Sequence, residues 1–212
     1  MKSNELLRGA AVVRMSLLLI GTLLLSSKSA ITSATVAPAD GPSYTSDGQL
    51  KRPQRYREWV FLTSGVDMSY TPKAQADSHH VFDNVFVRPS AYQAFLHTGT
   101  WPDKTVLVLE NRNGESGRSI NTRGQTQSIE VTGLEVHVKD ATLPGGWGFY
   151  VPGSAATAKL MPHTASCYAC HEQHAAVDTT FVQFYPTLLP LAQQKGTLSA
   201  AYLKEINAAP AK

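Results

Sequence analysis

The residues best suited to chemistry lie in one run, Cys167-Tyr168-Ala169-Cys170-His171. Two thiols spaced by two residues at the start of a helix reach the two vinyl-bearing carbons on one edge of a porphyrin and form thioethers. The histidine that follows directs its imidazole at the iron. These five residues would thus fix the position and the axial field of one covalently attached haem c, with Cys167 and Cys170 as attachment points and His171 as iron ligand. The chain has 2 cysteines in all, so no disulfide framework can be spread across the fold. Two other chemistries use the same groups. A zinc ion would take Cys167, Cys170, His171 and His174, which are crowded on one helix for a tetrahedral site. A dithiol redox pair is expected beside a βαβ unit, whereas this motif follows every predicted strand.

The sixth coordination position decides what the iron can do. Electron-transfer cytochromes fill it with Met or His. No Met follows His171; Met161 and His163 precede the motif by a few residues and would have to wrap to the opposite haem face, and His174 shares the proximal helix. Met68, His79, His80, His97 and His137 stay open as ligands, although each is equally explicable as a surface or packing residue. The favoured reading is an open or weakly filled distal face that takes a small diatomic or nitrogenous ligand.

The elements that must carry these residues can be read from pattern. Tyr56 to Thr63 reads as a strand, Val81 to Val87 as a second, and Arg88-Pro89-Ser90 opens a helix from Ala91 to His97 with Gly99 beyond it. Thr105 to Leu109 is apolar on both faces and reads as a buried central strand. Asn111 to Gln127 is a polar excursion. Ser128 to Lys139 alternates, with Leu134, Val136 and Val138 on one face and Ile129, Val131, Glu135 and His137 on the other. Trp147 to Val151 is a fifth strand after the Pro144-Gly145-Gly146 turn. A short helix carrying the cysteine motif follows Ala165, and Phe181 to Gln194 has a helical period broken by Pro186 and Pro190. Five strands followed by C-terminal helices predict an α+β domain with a five-stranded, mainly antiparallel sheet.

At 212 residues the chain suits one domain. Residues 1–30 read as a cleaved signal peptide: basic residues, then an uncharged apolar core from Met15 to Leu25, shorter than the ~20 residues a membrane span needs. Residues 31–52 read as a flexible leader with order beginning near Pro53, 53–192 as the haem domain, and 193–212 as a C-terminal tail. Residues 1–30 hold four of the 19 Lys+Arg and one of the 16 Asp+Glu, leaving 15 of each. The remainder is formally neutral and has no basic footprint for a nucleic acid. Export places the protein in the periplasm.

Beyond the haem motif, an ordered series of segments resembles the cytochrome P460 family, which includes the cytochromes c′-beta. It comprises Tyr56-Arg57-Glu58-Trp59-Val60, Val85-Phe86-Val87-Arg88-Pro89 with Tyr92 and Thr98-Gly99, Gly133-Leu134-Glu135 with Val138-Lys139-Asp140, Trp147-Gly148-Phe149-Tyr150-Val151, and Phe184-Tyr185-Pro186 after the motif. The resemblance runs from about Arg55 to Pro190. It implies a periplasmic c-type haem protein, usually homodimeric, with a five-stranded antiparallel sheet. Family members that oxidise hydroxylamine carry a lysine cross-linked to the haem; the matching position here is Leu109, which cannot form that link. The c′-beta members lack it and bind nitric oxide and similar ligands. The family's pocket carboxylate falls on Glu135, which would act as acid or base if it faces the haem and is otherwise a solvent-facing strand residue. Phe82 or Phe86 would cap the iron as apolar distal residues do in c′-beta proteins, and an arginine of some members is replaced by Asp83. The resemblance thus implies a ligand-binding haem protein with possible electron exchange with a redox partner protein. Hydroxylamine oxidation and six-coordinate electron transfer are the alternatives.

Overall fold

A computed structural model describes residues 40–70 and 80–208. The chain divides into units 1–36 and 37–212, and the described residues belong to the second. The signal-peptide reading of residues 1–30 and the candidate ligand His79 lie outside the described residues.

The sheet runs in the order β2-β3-β4-β6-β7: β2 (Val60–Val66), β3 (Val81–Val87), β4 (Val106–Glu115), β6 (Gly133–Lys139) and β7 (Trp147–Tyr150). Every pairing is antiparallel. A short β5 (Thr126–Gln127) pairs with the end of β4, making six strands. The domain is α+β, with α1 (Pro89–Thr98), α2 (Ser166–His174), α3 (Leu189–Lys195) and α4 (Ala200–Ala208).

Period-two alternation sends each strand's side chains to two faces. Leu134, Val136 and Val138 of β6 join Val106 and Val108 of β4 in one cluster with Leu50, Tyr56 and Tyr150. Leu107 of β4 and Val87 of β3 join the other, with Phe95, Trp101, Trp147, Phe149, Tyr168 and Leu188. The helix carrying the cysteines belongs to this second face. Helix α1 starts with Pro89 at its first turn, where no backbone donor is lost. It stops at Gly99, whose φ of 76° and N–H bond to the Phe95 carbonyl form a left-handed cap. A Cβ at Gly99 would sit 2.8 Å from Lys195 Cβ, so a side chain there would also push α3 away.

Several elements differ from the sequence reading. The first predicted strand begins as a 3-10 turn (Tyr56–Glu58), and pairing starts at Val60. Order precedes Pro53: β1 (Leu50–Lys51) pairs with β8 (Thr157–Ala158), and Leu50 is fully buried. The fourth strand begins at Gly133, leaving Ile129 exposed. Phe181 to Gln194 is a 3-10 turn and then α3, divided at its prolines. The C-terminal stretch is helical: the Ser199 hydroxyl accepts the Tyr202 N–H at 3.0 Å as the cap of α4 and donates to the Ala175 carbonyl at 2.7 Å. His174 Nδ1 meets Glu205 Oε2 at 2.9 Å, joining α4 to α2.

The largest difference is in β4, which continues through Glu115 where polar residues suggested a loop. Glu110 is 1% exposed and accepts bonds from Tyr56 Oη (2.5 Å), Arg112 Nε (2.6 Å) and the Arg57 guanidinium. Arg112, itself buried, also donates to the Ser128 carbonyl. The two charged residues occupy interior strand positions because each satisfies the other. Removing the carboxylate leaves buried guanidinium unpaired, so Glu110→Ala should lower unfolding free energy by about 3–5 kcal/mol, and Glu110→Gln by less. Urea denaturation checks this; an Ala variant as stable as wild type would show that the network contributes nothing.

Candidate functional site

The cysteine helix is anchored by the first residue inside its motif. Tyr168 is buried and stacks on Phe149 of β7 at 4.3 Å and 13°. Its hydroxyl accepts the Phe149 N–H at 3.1 Å and donates to the Met161 carbonyl at 3.3 Å. Cys167 and Cys170 are of intermediate exposure and lie a helical turn apart, with Cys167 packed against the core. His171 follows on the same turn and is held against Phe181, Phe149 and His137, at ring-centroid distances of 4.3, 4.7 and 5.0 Å.

His171 Nδ1 lies 2.7 Å from the Thr179 carbonyl. A carbonyl only accepts, so Nδ1 carries the proton and Nε2 keeps its lone pair. Burial depresses the His171 pKa, keeping the ring neutral and able to donate to a metal. The carbonyl reaches it because Asp178 and Thr179 both have left-handed backbones, φ 49° and 53°. Three bonds secure that turn. The Asp178 carboxylate accepts the Trp101 N–H at 2.9 Å and the Lys139 ammonium at 2.8 Å, and Trp101 Nε1 donates to Thr180 Oγ1 at 2.8 Å.

His171 borders a cavity of about 310 Å³ between α2, the turn after it and the sheet. Strand register arranges the sheet wall in cross-strand rows. One row is Val87–Leu107–His137–Phe149, the next Thr63–Val85–Leu109–Glu135, the third Gly65–Asp83–Asn111–Gly133. The wall therefore grades from apolar to polar.

Of the residues expected at this site, the cavity brings together His171, Leu109 and Glu135. Burial raises the Glu135 pKa, and the nearby Asp83 raises it further. Phe82 and Phe86 do not reach the cavity, which corrects the expectation that they cap the iron. They alternate with Asp83 and Val85, and Phe86 packs on the opposite face against Tyr56 and Phe61, each at 5.7 Å. The aromatic rings at the cavity come instead from Tyr70, Phe181, Phe184 and Tyr185. Asp178, which sequence reasoning missed, carries no local motif; its place depends on Trp101 and Lys139, which are remote in sequence.

The other candidate ligands separate clearly. His137 lines the cavity but stacks on Phe149 at 4.1 Å and touches His171 edge-on, leaving no room for a porphyrin between the two imidazoles. Burial, with His171 beside it, drives its pKa down to about 3. His80 pairs with Asp67, and His174 with Glu205. Met68 lines the cavity and packs over Gly65, where a Cβ would collide with the thioether. Among the described residues no group of three or more His, Cys, Asp or Glu side chains could hold a metal ion.

The donor set suits an iron porphyrin: a neutral imidazole with its outer nitrogen fixed, two thiols one turn apart, and an adjoining cavity with an apolar wall. Glu135 has a stability signature of its own. Because its folded pKa is raised, the stability it adds is complete below the ordinary carboxylate range and is lost as pH rises through the raised value. In thermal unfolding from about pH 4 to about pH 8, Glu135→Gln should match wild type in acid and exceed it at neutral pH. A difference independent of pH would contradict that assignment.

A search of curated proteins finds no match to this sequence. The family pattern described as Cytochrome P460 matches residues 53–182, a span that contains the sheet, the cysteine helix and the turn bearing Thr179. Since that match covers more than half of the chain, the chain belongs to the cytochrome P460 family, which implies that it binds haem.

Proposed function

We propose that the protein is a periplasmic c-type cytochrome with one haem, attached through Cys167 and Cys170, whose iron is five-coordinate and binds nitric oxide or related small nitrogenous ligands. The observation that carries this reading is the environment of His171. Its Nδ1 is committed to Thr179, and its ring borders a cavity walled by Val85, Leu107, Leu109 and Glu135.

A bound haem would supply a redox-active Lewis acid for a diatomic or nitrogenous ligand. His171 would hold it from one side, and the thioether positions on the same turn would prevent its loss. Val85, Leu107 and Leu109 would exclude water from the ligand. Glu135, its pKa raised, would hold or release a proton at its carboxyl oxygens. Exchange of electrons with a partner protein and assembly as a homodimer belong to the same proposal.

Two observations favour other readings. Glu135 at the cavity favours oxidation of hydroxylamine, although Leu109 stands at the position of the cross-linking lysine. Met68 in the same cavity favours a six-coordinate electron carrier. The reduced absorption spectrum with and without carbon monoxide distinguishes them. The proposal predicts a high-spin ferrous spectrum that shifts on adding carbon monoxide and is unchanged by Met68→Ala. A low-spin spectrum insensitive to carbon monoxide, lost in Met68→Ala, would establish the carrier, and turnover of hydroxylamine with an electron acceptor would establish the enzyme. Covalent attachment has a separate test. Acid–acetone should leave colour on the polypeptide and remove it from the Cys167→Ala, Cys170→Ala double variant; colour extracted from wild type would refute the thioethers.

A further inference from the structure

The polar end of the cavity wall carries more charge than the iron site alone requires. Asp83 of β3 and Glu135 of β6 both line the cavity, separated by Leu109 and Asn111 of the intervening β4. No Lys or Arg among the described residues lines it with them. Asn111 donates one Nδ2 hydrogen to Asp83 Oδ1 at 2.6 Å, a neutral dipole that leaves the net charge in place, and its side-chain oxygen lies over Gly133. Asp67, a third carboxylate near Asp83, is paired with His80 at 2.6 Å.

Beside the two cavity carboxylates, Val85, Leu107 and Leu109 contribute apolar wall, which screens charge poorly. An anion entering this space gives up hydration and meets two carboxylates of its own sign. A neutral molecule escapes that repulsion, and a protonated amine finds hydrogen-bond acceptors.

We infer that Asp83 and Glu135 make the cavity selective by charge, admitting neutral and cationic nitrogenous ligands and rejecting anions such as azide and nitrite. The inference rests on the open-haem reading, and it assigns Asp83 a role in ligand specificity rather than in holding the fold.

The test compares azide binding to the oxidised holoprotein with carbon monoxide binding to the reduced one. Wild type, Asp83→Asn, Glu135→Gln and the double variant are titrated by absorption. Each removed charge should tighten azide about tenfold, the double variant most, while in Asp83→Asn carbon monoxide affinity stays within about twofold of wild type. Carbon monoxide affinity also reports whether each variant keeps its haem pocket, and either single variant suffices if the other loses it. Unchanged azide affinity in variants that bind carbon monoxide normally would overturn the inference and leave the open-haem reading standing. A wild-type protein that binds no carbon monoxide would overturn that reading, and this inference with it.

Discussion

The hydrogen bond from His171 Nδ1 to the Thr179 carbonyl is the constraint on which the site depends. It selects the tautomer, aims the ring and leaves one nitrogen for iron. The acceptor is backbone, so its position is only as good as the turn that presents it. That turn contains two consecutive non-glycine residues in left-handed conformations, each costing roughly 1–3 kcal/mol and persisting only where the surroundings over-determine it. The Asp178 carboxylate, shared between Trp101 and Lys139, supplies much of that determination. Lys139 belongs to the same strand as Glu135 and His137. One strand thus carries groups that face the ligand side of the cavity and a group that braces the proximal turn.

The sheet serves the site by separating two kinds of polarity. On the face away from α2, Glu110 and Arg112 are buried as a mutually neutralised network. On the cavity face, Asp83 and Glu135 have no cationic partner lining the cavity among the described residues. Alternation along β4 keeps the two sets apart, with Glu110 and Arg112 projecting one way and Leu109 and Asn111 the other. A one-residue slip of β4 would exchange them, placing an arginine at the ligand site. The dense network on the outer face therefore also helps to hold the register that gives the inner face its character.

Much of this was legible in sequence where the pattern was local. Val81–Val87 and the helix bounded by Pro89 and Gly99 follow from alternation and capping chemistry, and the short helix that carries Cys167, Cys170 and His171 was expected after Ala165. Where partners are remote the reading failed. Glu110 and Arg112 look like loop residues until Tyr56, Arg57 and the Ser128 carbonyl are brought to them. Phe82 and Phe86 were expected at the iron because they are aromatic, but strand parity sends them to the other face and gives the cavity Asp83 and Val85. Leu50 and the α4 segment looked like leader and tail because their contacts, with β8 and α2, lie far along the chain. Glu135 was ambiguous for the same reason: parity placed it opposite Leu134, but only the packing of α2 determined which face received the cavity.

The resonance Raman spectrum of the reduced protein, recorded for wild type and Asp178→Ala, tests the central claim most directly. If the clamped turn fixes the proximal imidazole, the iron–histidine stretching band should move to lower frequency and broaden in the variant, as the ring loses its oriented acceptor. An identical band in both proteins would show that the turn does not position His171.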